Sequence, residues 1–205
     1  MGDQISFFHE DASRSYYQCS RCRLVFVPDS YYPTEQTARE RYEKHNNSLE
    51  NRGYLDFLGT VVDPLSARLP EGARGLDFGS GPVPAVSFLL REKGYPVEIY
   101  DLFFADNRRL LEVTYDFLIC VETVEHFFYP AKEWRLLTQL VRPGGWIAIK
   151  TEPLLDETDF ATWHYKTDIT HVCFYSPPTL RWLANTYHLR LDYESVSVTI
   201  FEKRG

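Results

Sequence analysis

An open α/β fold built on a mostly parallel sheet is predicted by three observations in this 205-residue sequence. Short strand-like segments alternate with helical ones from about Gly75 onwards. A glycine-rich loop, Gly79-Ser80-Gly81, directly follows the first of these strands. The run Phe117-Leu118-Ile119-Cys120-Val121 is apolar throughout, as a strand covered on both faces must be.

The elements follow in order. Tyr16-Tyr17-Gln18 and Leu24-Val25-Phe26-Val27 predict a hairpin whose turn carries Cys19-Ser20-Arg21-Cys22, with Pro28 ending it. Residues 34–58 are polar and helix-compatible, with Thr34 as N-cap. Gly53 is expected to break them, and a second helix then places Tyr54, Phe57, Leu58, Val61 and Val62 on one face. Residues 75–78 form a strand, and residues 83–93 a helix with Val83, Val86, Leu89 and Leu90 inward and Gly94 as its stop. Strands are expected at 97–100 and 116–121, then a helix at 130–141 with Trp134, Leu137, Leu140 and Val141 on one side. Arg142-Pro143-Gly144-Gly145 is a turn into a strand at 146–150. A helix at 177–187 precedes a closing antiparallel pair at 190–194 and 197–202. The division is an N-terminal ribbon-like hairpin (1–33), a helical cap or linker (34–64) and the main α/β domain (65–205).

Composition narrows the function. A net charge of -7 argues against binding to nucleic acid, which needs clustered Lys and Arg. No apolar run reaches the length of a membrane span. Met1-Gly2-Asp3-Gln4 has neither the basic nor the apolar region of a signal peptide, so a cytoplasmic location is expected. In that compartment the four cysteines predict no disulfide framework. The 14 Tyr, 14 Phe and 4 Trp suit aromatic core packing or a ring-lined pocket for an organic ligand.

Ligands of open α/β sheets bind at the carboxyl ends of the strands. Glycines there let the backbone approach a ligand, and the following helix points N–H groups at the same spot. A dinucleotide fingerprint wants a third Gly or Ala, where this chain has Pro84, so the dinucleotide reading weakens. Asp77, just ahead of the loop, suits the amino group or sulfonium of S-adenosylmethionine. Asp101 follows Asp77 by 24 residues, at the end of the next strand, where a carboxylate accepts ribose hydroxyls or makes a local turn.

These residues resemble the class I S-adenosylmethionine-dependent methyltransferases. The matching pieces are Leu76-Asp77-Phe78-Gly79-Ser80-Gly81, Asp101, residues 115–126 including Val121-Glu122-Thr123-Val124-Glu125-His126, and Arg142-Pro143-Gly144-Gly145-Trp146. The resemblance implies a Rossmann-like fold with an antiparallel last strand and helices on both faces. It also implies that Asp77, Gly79 and Gly81 hold the methionine part of the cofactor, that Asp101, with Leu102 beside it, holds the ribose, and that Glu122 and Thr123 border the methyl group. Only 14 residues separate Asp101 from Asp116, so the family's third strand and helix are expected to shrink to a loop or single helix. Asp106 is then the candidate on the adenine side.

The N-terminal segment resembles a subgroup with a zinc-ribbon-like piece, here incomplete: a ribbon needs four ligands, and Cys19, Cys22 and His9 make at most three. No metal is expected there or in the main domain. Tyr42 and His45 are candidates to cap the cofactor. Methyl transfer from sulfonium needs alignment and, for O- or N-acceptors, removal of a proton. His171 is the first candidate base and His126 the second, with His164 and Asp168 shaping the pocket. The expected function is methylation of a small-molecule acceptor, with oligomeric state left open. The alternatives are a catalytically idle cofactor-binding module acting through a protein partner, and a nicotinamide-dependent enzyme.

Overall fold

The computed structural model describes residues 4–44 and 48–205. Two sheets carry the architecture. The larger has the order β5-β4-β6-β7-β10-β9, with β4 Gly75–Phe78, β5 Val97–Tyr100, β6 Tyr115–Val121, β7 Val141–Lys150, β9 Leu189–Glu194 and β10 Val198–Lys203. β5, β4, β6 and β7 run parallel; β10 is antiparallel to β7, and β9 to β10. The expected mostly parallel sheet with an antiparallel end is thus present. Residues 102–113 form a loop ending in a 3-10 turn, Arg108–Glu112, so β5 is an edge, and the shortening expected between Asp101 and Asp116 is seen.

Four of the five α-helices among the described residues pack on this sheet. α2, Arg52–Ser66, buries Leu58, Val61, Val62 and Leu65. It shares a core with α3, Ala85–Glu92, and with Phe117, Ile119, Ala148 and Ile200. On the other face, α4, Pro130–Leu140, and α5, Pro177–Thr186, build a second core around Trp134, which is fully buried and donates its indole N–H to Tyr175 (3.1 Å). α1, Glu35–Glu43, starts at Thr34, whose side chain accepts the Thr37 N–H as expected of an N-cap. No helix among the described residues is long and apolar enough to cross a membrane.

Several expectations change. Gly53 does not break a helix: Asn51 caps α2 by accepting the Tyr54 N–H, so Gly53 lies in its first turn. The division drawn at residues 64 and 65 therefore falls inside α2, which belongs to the sheet's core. Phe57, expected inward, is 40% exposed. Arg142-Pro143-Gly144-Gly145 is not a separate turn but a bulge within β7. The register with β6 jumps from Tyr115↔Val141 to Phe117↔Trp146, so the intervening residues loop out between two paired ends. Gly145 lies so close to the Asp116 carbonyl that a Cβ would sit 2.6 Å from it.

The N-terminal segment is larger than a hairpin. β1 Ile5–Glu10, β2 Ser15–Cys19 and β3 Val25–Phe26 pair antiparallel, and β3 continues onto β8 Cys173–Phe174 from the far end of the chain. An aromatic cluster of Tyr16, Phe160, Trp163 and Phe174 fills the space beneath. Arg14 is buried there. Its guanidinium donates to the carbonyls of Lys166, Asp168 (3.2 Å), Ile169 (3.3 Å) and His171 (3.0 Å). Lys166, also buried, pairs with Asp11 at 2.5 Å.

Replacing Arg14 with Met strands several buried carbonyls at once. The expected loss is about 3 kcal/mol of unfolding free energy in urea. Faster amide exchange is expected across residues 164–171. A variant as stable as the parent would show that the clamp carries no weight.

Candidate functional site

The topological switch point lies between the carboxyl ends of β4 and β6. β4 connects through α3 to β5 on one side, while β6 connects through α4 to β7 on the other. The glycine loop sits there. Gly79 has φ +81, and an added Cβ would meet Thr123 Cγ2 at 2.3 Å. Gly81 has φ +63 and faces open space. Both positions demand glycine, one for its close neighbour as well as for its dihedral. The Ser80 hydroxyl is buried and finds no partner among the described residues. A buried hydroxyl without a partner is costly unless a ligand completes it.

Asp101 ties the loop to β5. Its Oδ2 accepts the Gly81 N–H (2.9 Å) and its Oδ1 those of Phe103 and Phe104 (2.8 and 3.1 Å). It therefore makes the local turn and also touches the glycine loop, with lone pairs left for a further donor. Asp77 behaves differently. Its carboxylate is 2% exposed and accepts the Ser87 hydroxyl at 2.8 Å. It lies beneath the loop rather than in the opening. Burial raises its pKa to about 6, against the hydrogen bond from Ser87.

On the β6 side, Glu122 takes φ +47, a left-handed conformation that a glutamate adopts at a cost. Thr123 packs its methyl on Gly79 and donates its hydroxyl to Val121 O (2.9 Å). Glu125 is fully buried. Thr151 donates to its Oε2 (3.0 Å), and the Tyr165 hydroxyl lies 2.6 Å from its Oε1 and 3.0 Å from Glu122 Oε2. Burial pushes both carboxyls up; the neighbouring Glu125 adds to it for Glu122, whereas hydrogen bonds with Tyr165, Thr151 and Glu122 work against it for Glu125. Beside Glu122 a cleft of about 370 Å³ opens, lined among others by Phe57, Lys150, Glu152, Leu155 and Val196. This places the exposed Phe57, with Lys150 Nζ over its ring at 3.9 Å, in the wall of a pocket.

The two candidate histidines come together. The His126 and His171 rings lie 4.8 Å apart. His126 Nδ1 bonds to Thr170 O (2.9 Å) and His171 Nδ1 to Tyr165 O (2.7 Å). Burial lowers both pKa values, and that of His171, also beside His126, is pushed down to about 3. Both rings are therefore neutral near pH 7. Tyr42 reaches them from α1, with its ring 5.1 Å from His126 and 5.7 Å from Phe103. Arg41 pairs with Asp168 at 2.8 Å and fastens that helix to the loop.

Other candidates lie elsewhere. His164 is exposed and bonds to Glu152, which lines the cleft. Asp168 serves the loop, holding Thr170 and Arg41. Asp106 pairs with Arg108 at 3.2 Å. Leu102 is 51% exposed on the loop after β5. His45 lies outside the described residues. His9 packs on Phe160 and Tyr16, and Cys19 and Cys22 gather no third metal-capable group among the described residues. Thr151 and Lys150 escaped the sequence reading because nothing local marks them. Glu125 carried one signal, a second carboxylate three residues beyond Glu122.

An open α/β sheet with a glycine loop at its switch point and an acidic residue on the neighbouring strand defines a nucleoside-type binding fold. Residues 49–194 match the model of the family described as "Methyltransferase domain", and the chain belongs to that family. Over 93 residues, 45% of the chain, it is 28% identical to a ubiquinone biosynthesis O-methyltransferase of Aeromonas salmonicida (strain A449). That stretch is 39% of the relative's length, so the chain spans well under half of it. Among solved structures, it resembles the 1,6-didemethyltoxoflavin-N1-methyltransferase of Burkholderia thailandensis. The TM-score is 0.61 at 16% identity, over 98% of this chain and 100% of that one. An O-methyltransferase family protein from the same organism gives a TM-score of 0.58 at 15% identity, over 84% and 61%. At such identities the likeness speaks for the fold.

Gly79→Ala is expected to cost more than about 2 kcal/mol, from the dihedral and the clash together. Adding Thr123→Ala should recover part of that loss; thermal unfolding of the single and double variants measures both. A second expectation concerns Asp77. Its folded pKa is raised, so the associated stability is complete below about pH 4 and lost as pH rises through about 6. Asp77→Asn stays neutral. Urea unfolding should show the variant gaining roughly 2–3 kcal/mol on the parent between about pH 4 and pH 8. A difference that does not move with pH would refute the buried-carboxyl account.

Proposed function

We propose that this chain transfers a methyl group from S-adenosylmethionine to a hydroxyl or amine of a small-molecule acceptor. The observation that carries this reading is the loop Gly79-Ser80-Gly81. It stands at the switch point with an open face at Gly81, a partnerless buried hydroxyl at Ser80, and Asp101 alongside. These features fit an aminoacyl-nucleoside that brings donors to Asp101 and a polar partner to Ser80. The family and the names of the related proteins, which include O- and N-methyltransferases, support the same chemistry.

When bound, the cofactor supplies a methyl group on a sulfonium, open to in-line attack. We assign the residues the following roles. Gly79 and Gly81 let the backbone lie against the ligand. Asp101 takes ribose hydroxyls with its remaining lone pairs, with Leu102 exposed beside it. Asp77 acts from beneath the loop, by charge, rather than by contact. Glu122 and Thr123 border the methyl group, and Tyr42 covers the opening from α1. The cleft beside Glu122 takes the acceptor, whose apolar part rests on Phe57, Leu155 and Val196. His171, and after it His126, is our candidate for the base that takes the proton an acceptor hydroxyl loses, although neither lines that cleft.

Isothermal titration with S-adenosylhomocysteine tests the reading. Asp101→Ala is expected to weaken binding ten- to a hundred-fold, the worth of charge-assisted hydrogen bonds. Unchanged affinity would refute the ribose role. No binding at millimolar concentration, together with binding of NAD, would overturn methyl transfer in favour of a nicotinamide reaction. Binding without turnover over a broad panel of phenols, alcohols and amines would favour an idle module instead.

A further inference from the structure

Glu125, His126 and His171 each offer a ligand atom, and the three atoms lie within 4.8 Å of one another. We propose that these side chains form a binding site for one divalent transition-metal cation, at the carboxyl end of β6. The sequence shows no tight ligand spacing, since His171 comes from a distant loop. The fold supplies the spacing instead. Arg14 grips that loop through four carbonyls, and the Val172 N–H bonds to Glu125 O at 2.9 Å, so the loop is stitched directly to the turn carrying Glu125 and His126.

Three further observations point to a cation. First, each imidazole is anchored through Nδ1 to a backbone carbonyl, Thr170 O for His126 and Tyr165 O for His171. That is how metal-binding histidines are oriented, because it fixes the tautomer and leaves the Nε2 lone pair to ligate. Second, two carboxylates crowd one phenol. The Tyr165 hydroxyl has a single proton, yet lies within hydrogen-bond distance of both Glu122 and Glu125. The two carboxyls also bond to each other through a shared proton, and the Thr151 hydroxyl on Glu125 is neutral, so a cation would take the place of that proton. Third, the surroundings are dry and aromatic. The Tyr165 ring lies 4.1 Å from that of His171, and the Tyr42 ring 5.1 Å from that of His126.

The donor set selects the class of ion. Two imidazoles and a carboxylate suit Zn²⁺, Co²⁺ or Fe²⁺, whereas Mg²⁺ and Ca²⁺ prefer all-oxygen shells. Bonds of about 2.1 Å place tetrahedral ligand atoms roughly 3.4 Å apart, so the three groups close by about an ångström on binding. The site lies beyond Glu122, on the acceptor side of the glycine loop under the methyl-transfer reading. The proposal itself needs no cofactor and is tested without one; an ion held by both Nε2 lone pairs replaces the base role proposed above for the two histidines.

The test uses the full chain with Cys19→Ser and Cys22→Ser, which removes the thiol pair as a rival site. Equilibrium dialysis with Zn²⁺ is expected to give one ion per chain. Co²⁺ is expected to give a visible spectrum of nitrogen and oxygen ligation without thiolate charge transfer. His171→Gln and His126→Gln should each weaken Zn²⁺ binding tenfold or more. Should either variant fold poorly, ¹⁵N spectra of the parent decide: Zn²⁺ is expected to move the Nε2 resonances of both histidines. Absence of stoichiometric binding, or binding that moves neither resonance, overturns the site. Titration with S-adenosylhomocysteine on the same sample reads the methyl-transfer proposal separately, so either can fail alone.

Discussion

The guanidinium of Arg14 joins the N-terminal sheet to the loop at residues 166–171. Burying a guanidinium is costly, and the cost is met only if its fork of donors is used. Here the acceptors are carbonyls of residues 166, 168, 169 and 171. A loop that crosses a buried region must satisfy its carbonyls, and a single planar side chain from the N-terminal sheet does so. The flanking pairs, Asp11 with Lys166 and Arg41 with Asp168, fasten the same loop from both sides. The β3–β8 ladder and the Tyr16–Phe160–Trp163–Phe174 cluster then give the two sheets a common core. The position of His171 beside His126 follows from this clamp.

The crevice depends on a second close contact, between Gly79 and Thr123. β4 and β6 are hydrogen-bonded neighbours, so the chains leaving their carboxyl ends must part without collision. Glycine with a positive φ turns the first chain away, and the threonine methyl fills the space a Cβ would need. Asp101 gathers Gly81 from the other side. The result is an opening whose floor is backbone and whose rim carries Glu122 in a strained left-handed conformation. Strain of this kind persists only where surrounding contacts fix it, here the Glu122 N–H to Lys150 O (2.8 Å) and the Tyr165 hydroxyl.

The shortened stretch after β5 has its own consequence. With residues 102–113 reduced to a loop and one 3-10 turn, β5 becomes an edge and leaves Leu102 exposed beside Asp101. α1 partly covers that edge, bringing Tyr42 over Phe103 and His126. A short loop on one side and an added helix on the other thus shape the same opening.

Much of the fold was legible in the sequence because its signals are local. Alternating strands and helices, the Thr34 cap, the Gly94 stop and the glycine loop are each read from a few neighbouring residues. Local signals also erred in a local way. Gly53 looked like a helix break because the stronger cap at Asn51 was passed over, and Arg142–Gly145 looked like a free turn because its pairing partners lie on β6. The sequence by itself determined the sheet, the loop and the two acidic strand ends, since short-range preferences and periodic burial specify them. Only the tertiary structure decided that Asp77 faces Ser87 from beneath, that Tyr165 joins Glu122 to Glu125, and that Glu125, His126 and His171 converge. Those contacts join residues distant in the chain, and their partners are chosen by packing and by the need to satisfy buried polar groups, which no local pattern encodes.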